Sequence, residues 1–201
     1  MRVIDIDTPH GPARAHVNKV RGARGALVLG HGAGGGIEAR DLTAAAEVAV
    51  GGAQTLSVAL VEQPYRVAGR RSPAPARQLD AAWIAAVARL RAGALRGLPV
   101  ITGGRSSGAR VACRTAAETG AGAVLCLAFP LHPPGRPEAT RLDELDAVPV
   151  PVLVVQGQSD PFGIPPAGEN RSVITVAGNH SLRTDLDAVR AAICEWLPQV
   201  L

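Results

Sequence analysis

The chain has 201 residues, 47% of them hydrophobic and 19% charged, with a formal net charge of +4. A chain of this length buries roughly 70% of its unfolded surface, so it can build a core without disulfides or metal, and its composition excludes wholesale disorder. The positive balance does not point to nucleic acid. Lysine occurs only at Lys19, the longest basic run is Arg70-Arg71, and only Tyr65, Trp83, Phe129, Phe162 and Trp196 are on hand to stack a base, whereas such a groove needs clustered charge with aromatic platforms.

In chain order, residues 3–7 alternate apolar and polar and predict a half-buried strand, repeated over 13–20 after the Gly11-Pro12 turn. An apolar run at 25–30 ends in a glycine cluster, and the Ala-rich stretch 39–50 predicts a helix. A strand follows over 56–61, then a long helix within 73–94, where Leu79, Trp83, Val87 and Leu90 recur three or four apart. Further strands are predicted at 98–102, 123–128, 152–156 and 173–176, with helices at 107–118 and 184–196 and a helical turn at 142–147. Unalternating apolar runs separated by helices imply a mostly parallel sheet covered on both faces. No linker or repeat divides the chain, so 1–201 is expected to be one domain.

The residues following each strand then matter most, because such sheets bind ligands at the carboxyl ends of their strands. Gly104-Arg105-Ser106-Ser107-Gly108 fits G-x-S-x-G at a strand-to-helix turn. The glycines permit a tight turn from which a serine protrudes, and the free N–H groups and dipole of the next helix point at the same place. The bland alternative is a glycine-rich helix entry that Ser106 merely caps. A serine hydroxyl needs a base, and the base an orienting acid. In this fold type they follow in the order Ser, acid, His. Of the five histidines only His132 and His180 follow Ser106. His180 lies between the last strand and the last helix, and Asp160 follows the 152–156 strand on the same rim. Asp143, Glu144 and Asp146 precede that strand and fall at the opposite end. A surface-loop role for His180 stands as the alternative, and the order Ser106, Asp160, His180 favours a triad.

The loop 30–36, Gly-His-Gly-Ala-Gly-Gly-Gly, can turn backbone N–H groups toward a carbonyl oxygen, as esterase loops of the HGGG type do. The expected oxyanion donors are the amides of Ala33 and Ser107, with Gly34 as a substitute. The same loop fits G-x-G-x-x-G through Gly30, Gly32 and Gly35. A dinucleotide fingerprint, however, belongs in the first βα turn with an acid about 20 residues on; here two strands come earlier and Glu62 is too distant.

These residues resemble a known family. His31-Gly32-Ala33-Gly34-Gly35, Gly103 to Arg110, Gln156-Gly157-x-x-Asp160-Pro161-Phe162-Gly163 and Gly178-x-His180-Ser181 are similar to the small α/β-hydrolases of the dienelactone-hydrolase-like type. The G-R-S-x-G-x-R elbow is most similar to the branch typified by the testis-expressed thirty protein, which includes the hydrolase-like domain of a chromatin-complex subunit. The resemblance implies an α/β-hydrolase fold: an eight-stranded, mostly parallel sheet with helices on both faces, the second strand antiparallel and no cap domain. It also implies Ser106 as nucleophile, Asp160 as acid and His180 as base. Dienelactone hydrolase itself uses a cysteine nucleophile, so its substrate does not transfer.

The expected function is a serine hydrolase acting on small carboxylic esters or related acyl compounds, with a non-catalytic hydrolase-like binding module as the alternative. Tyr65, Phe129, Leu131 and Phe162 are expected to line an apolar substrate pocket, with ordinary packing at the sheet ends as the alternative, and His31, His132 and Arg105 are expected in the same pocket. Arg66, Arg70, Arg71 and Arg105 read first as a solvated Arg-rich loop and alternatively as a ring round the cleft that attracts an anionic substrate, or Arg105 could pair with Glu62 and brace the elbow. No cofactor and no metal are expected, and the partner is a small-molecule acyl substrate rather than nucleic acid or membrane. The three cysteines read as buried free thiols. Residues 1–7 carry two acids where a signal peptide needs an apolar core, and the longest apolar run, 121–131, is too short to span a bilayer, so the expected location is cytoplasmic. Oligomeric state is not legible.

Overall fold

The alternating opening residues pair with each other. In this computed structural model, which describes residues 1–201, β1 (Arg2–Ile6) runs antiparallel to β2 (Ala13–Asn18), and β2 alternates strictly between buried and half-buried positions. The apolar runs then form β3 (Gly25–Gly30), β4 (Leu56–Glu62), β5 (Val100–Arg105), β6 (Ala123–Leu127), β7 (Val152–Gly157) and β8 (Arg171–Val176). Every residue of β3, β6 and β7 is buried, as strands covered on both faces must be. The eight strands lie in the order β1-β2-β4-β3-β5-β6-β7-β8. The strand β2 is antiparallel to both neighbours, and every pairing from β4 to β8 is parallel. This is the α/β-hydrolase architecture that the motifs imply.

Helices cover both faces. On one lie α1 (Arg40–Gly51) and α7 (Leu186–Trp196), enclosing Leu27, Leu29, Leu42, Leu125, Leu153 and Ile193. On the other, α3 (Ala76–Ala92) buries Trp83 and Leu90 against Val28 and Ala59, and α4 (Ser107–Arg114) packs over Val124 and Val154.

Several boundaries differ from the sequence expectation. The expected 107–118 helix is broken at Thr115, whose hydroxyl donates to the Val111 carbonyl, a back-bond that bends helices; α5 (Ala116–Thr119) resumes beyond it. An unexpected single turn, α2 (Pro64–Val67), follows β4 because Pro64 sits at its first position. The turn at 142–147 is α6 (Leu142–Asp146), and the strand expected at 173–176 begins earlier, at Arg171. Cys113 and Cys126 are buried with their sulfurs 3.4 Å apart, but Cys194 is exposed, because it falls on the outer face of α7. No helix is long and apolar enough to cross a membrane.

The chain order reverses at β3, whose neighbours are β4 on one side and β5 on the other. Such a switch point opens a crevice at the carboxyl ends of the strands, and here it falls between the glycine loop after β3 and the serine turn after β5. The turn is tight because Gly104 and Gly108 both abut the Gly30 carbonyl. A Cβ on Gly108 would meet that oxygen and lie 2.9 Å from the His31 carbonyl oxygen, with no flexible side chain able to yield. Gly108→Ala is therefore expected to lower the unfolding free energy in urea by about 1–3 kcal/mol or more; an unchanged midpoint would contradict this close approach.

Candidate active site

Strand β5 delivers the chain to Ser106 in a left-handed conformation, φ 52° and ψ −108°. For a residue with a Cβ this costs on the order of 1–3 kcal/mol and persists only when the surroundings over-determine it. The Ser106 N–H donates to the Leu127 carbonyl at 2.9 Å, and its own carbonyl accepts from Arg110 N–H. Ser107 then opens α4, where the first amides have no intrahelical acceptor.

Two other loops bring their side chains to the same place. His180 Nε2 lies 2.9 Å from Ser106 Oγ, and His180 Nδ1 lies 2.8 Å from Asp160 Oδ2. The carboxylate neighbour puts the ring proton on Nδ1, leaving Nε2 to accept from the serine hydroxyl. Asp160 has a fully buried side chain. Its Oδ1 accepts from Phe162 N–H at 2.9 Å and its Oδ2 from Gln156 Nε2 at 2.8 Å. The Phe162 ring stands edge-on to the imidazole at 4.6 Å between centroids. The Asp160 and His180 loops are tied together by Ser159 N–H donating to the Gly178 carbonyl. The His180 loop contains two left-handed residues, Gly178 (φ 118°) and Leu182 (φ 49°), and the latter is anchored by its fully buried side chain.

The glycine loop lies alongside. A Cβ on Gly32 would be 3.6 Å from Ser106 Cβ. Neither the Ala33 nor the Gly34 amide is spent on a backbone hydrogen bond. The loop's carbonyls are drawn inward instead: Tyr65 Oη donates to the Ala33 oxygen at 2.8 Å, and His31 Nδ1 sits 2.8 Å from the Gly32 oxygen. His31 Nε2 accepts from Gln63 N–H. His31 and Tyr65, expected at the pocket, are thus both buried and support the loop from behind. Burial lowers the affinity of His31 for a second proton and raises that of the Tyr65 phenolate.

The remaining expected pocket residues divide. Phe129 is wholly buried, in the cluster of Ala109, Cys113 and Val154, and Leu131 is also buried; they are core, not lining. His132 Nδ1 faces the Ala139 carbonyl at 2.7 Å, and Arg141 donates to the Pro130 and His132 carbonyls, so the loop after β6 is closed on itself. Of the apolar set, Phe162 packs on His180. Glu62 pairs with His16 rather than with Arg105. Asp143, Glu144 and Asp146 lie away from the serine, where Glu144 binds Arg110 and Arg114, and Asp146 binds Arg171.

Two residues escaped the sequence reading. Gln156, at the end of β7, donates from Nε2 to Asp160, the Phe129 carbonyl and the Gly163 carbonyl; an amide closing an otherwise apolar strand was its signal. Asp41, in the first turn of α1, places Oδ2 2.9 Å from Arg105 Nε. Burial pushes the Asp41 carboxyl above the usual carboxylate range, and Arg105 opposes the shift. An acid in a first helical turn is so common that nothing in the sequence distinguished it. No group of three or more His, Cys, Asp or Glu side chains is placed to hold a metal ion.

Beside Ser106 and His180 a polar cleft of about 410 Å3 is lined by Gly34, Gly35, Arg40, Arg105, Ser181 and Arg183 among others. A larger apolar groove of about 540 Å3 lies along α1, between Met1, Ile37 and Leu60, away from the serine.

Residues 23–185 match the family of the alpha/beta hydrolase domain. No curated protein matches the chain. Among solved structures it is similar to an alpha/beta serine hydrolase without lid from Xanthomonas campestris, with a TM-score of 0.78, 19% identity, and 100% of this chain and 94% of that one covered. It is likewise similar to Est1E from Butyrivibrio proteoclasticus, with a TM-score of 0.79, 16% identity and 98% of each chain covered. Dienelactone hydrolase from Anabaena variabilis gives a TM-score of 0.76 and 20% identity over 100% of this chain and 97% of that one. These likenesses are of fold.

The His31 brace predicts a pH dependence. Its folded value lies below the unfolded value of about 6.5, so the unfolded chain takes up the proton first. Stability is complete above that value and falls as pH drops through it, by up to about 1.4 kcal/mol per pH unit. Urea unfolding at pH 7.5 and 5.5 should show this loss in the wild type and a smaller one in His31→Asn; equal losses would remove His31 as the cause.

Proposed function

The chain belongs to the alpha/beta hydrolase domain family, and we propose that it is a serine hydrolase cleaving small carboxylic esters or related acyl compounds through Ser106, His180 and Asp160. The observation that supports this most is the imidazole of His180 bridging the other two side chains, 2.9 Å from Ser106 Oγ and 2.8 Å from Asp160 Oδ2. Within the family, the resemblance of the G-R-S-x-G-x-R elbow supports a narrower proposal, the branch of the testis-expressed thirty type.

In the proposed reaction Ser106 Oγ attacks the acyl carbonyl carbon while His180 Nε2 takes the hydroxyl proton. Asp160 holds the ring in the required tautomer and stabilises the imidazolium. The negative charge that develops on the carbonyl oxygen is met by the amides of Ala33 and Ser107, with Gly34 able to substitute. Each such donor is worth roughly 100- to 1000-fold in rate. Collapse expels the alcohol, which leaves with the proton from His180. Water, deprotonated by the same imidazole, then attacks the acyl-serine, and the acid departs with Ser106 restored. No cofactor enters. The short, self-closed loop after β6 leaves the serine uncovered, which favours small or exposed acyl groups over long-chain lipids.

A fluorophosphonate probe should label the protein stoichiometrically, and Ser106→Ala should abolish labelling. On p-nitrophenyl acetate, Ser106→Ala should lower kcat by up to about a millionfold and Asp160→Asn by about ten-thousandfold. A folded protein that never labels would instead be a binding module on a hydrolase scaffold.

A further inference from the structure

Arg105 immediately precedes the nucleophile, and its guanidinium reaches three segments at once. Nη2 donates to the His180 carbonyl at 3.0 Å, and Nε lies 2.9 Å from Asp41 Oδ2. Nη1 lies so close to Gly32 that a Cβ there would be 2.9 Å away. The Asp41 side chain is 1% exposed. Its Oδ1 accepts the Leu42 N–H, whereas Oδ2 has no well-aligned donor and faces Arg105 as a close ion pair. A buried carboxylate with one partner fixes that partner, because withdrawing the cation strands an uncompensated charge. The planar fork then holds the second and third contacts in a set geometry, which an ammonium cannot do.

We propose that Arg105, fixed by Asp41, is the positioning residue that holds the His180 loop against the nucleophile turn and the glycine loop. The role rests on the hydrolase reading above. Asp160 holds the imidazole through its side chain, and Arg105 holds the same residue through its backbone. Both grips are required because Leu182, a residue with a Cβ, is held in a left-handed conformation in the same loop, a strain that relaxes once the surroundings cease to enforce it. Arg105 does not touch the reacting atoms; it acts through His180.

The test compares Arg105→Ala, Arg105→Lys, Asp41→Asn and the Asp41→Asn/Arg105→Ala pair on p-nitrophenyl acetate, an uncharged ester, with thermal melts to confirm folding. Arg105→Ala should lower kcat by about 100-fold, the loss associated with an ångström of misplacement, with KM nearly unchanged. Arg105→Lys should recover only part of this, and millimolar guanidinium should partly rescue Arg105→Ala. The double variant should be no worse than Arg105→Ala alone, because the two residues act as one unit. A raised KM with unchanged kcat would make Arg105 a substrate contact and overturn the proposal, as would independent, additive losses. Should Arg105→Ala fail to fold, Arg105→Lys and Asp41→Asn decide the matter on the same split between kcat and KM. Loss of the hydrolase reading is seen separately, in a wild-type protein that shows no Ser106-dependent labelling.

Discussion

At the carboxyl ends of β3 and β5, backbone meets backbone with no side chain between. Gly104 and Gly108 both press on the Gly30 carbonyl, and Gly103 does the same against Leu125 of β6. Only glycine allows that approach, and only that approach lets the chain reverse from strand to helix within the span of Ser106. The left-handed serine, the unpaired first amides of α4 and the adjacent glycine loop all follow from it. The strain at Ser106 is offset by two backbone hydrogen bonds, to Leu127 and from Arg110.

The site is assembled from three loops, and each is held by groups that never face solvent. His31 and Tyr65 tie down the glycine loop, Gln156 and the Phe162 amide hold Asp160, and Leu182 plugs the His180 loop into the core. A core made largely of Ala, Val and Leu packs to high density but offers little that is directional. The polar braces supply the directionality, at the rim where strands end and backbone groups lack sheet partners.

Much of this was legible beforehand because it rests on local rules. Unbroken apolar runs gave the buried strands, and G-x-S-x-G gave the elbow. The order Ser106, Asp160, His180 after β5, β7 and β8 gave the three side chains that the structure brings together. The antiparallel β2 came only through the family resemblance, and the strand order was not read at all, since β2 pairing with β4 rather than β3 leaves no local mark. The pocket lining was read poorly for a different reason. Phe129, Leu131, His31 and Tyr65 stand just after strand ends, where periodicity no longer says which way a side chain turns, and all four turn inward. Asp41 and Gln156 act through partners distant in sequence, which no single stretch of chain encodes.

The loop after β6 ties its own ends together through His132 and Arg141, and only the short α6 separates it from β7. On the proposed hydrolase reading, no cap domain has to open before a small molecule reaches Ser106. Encounter is set by diffusion and by the field of the bordering arginines. On that reading the amides around Ser106 would have to stand in place before a visitor arrives, since no cap closes to arrange them.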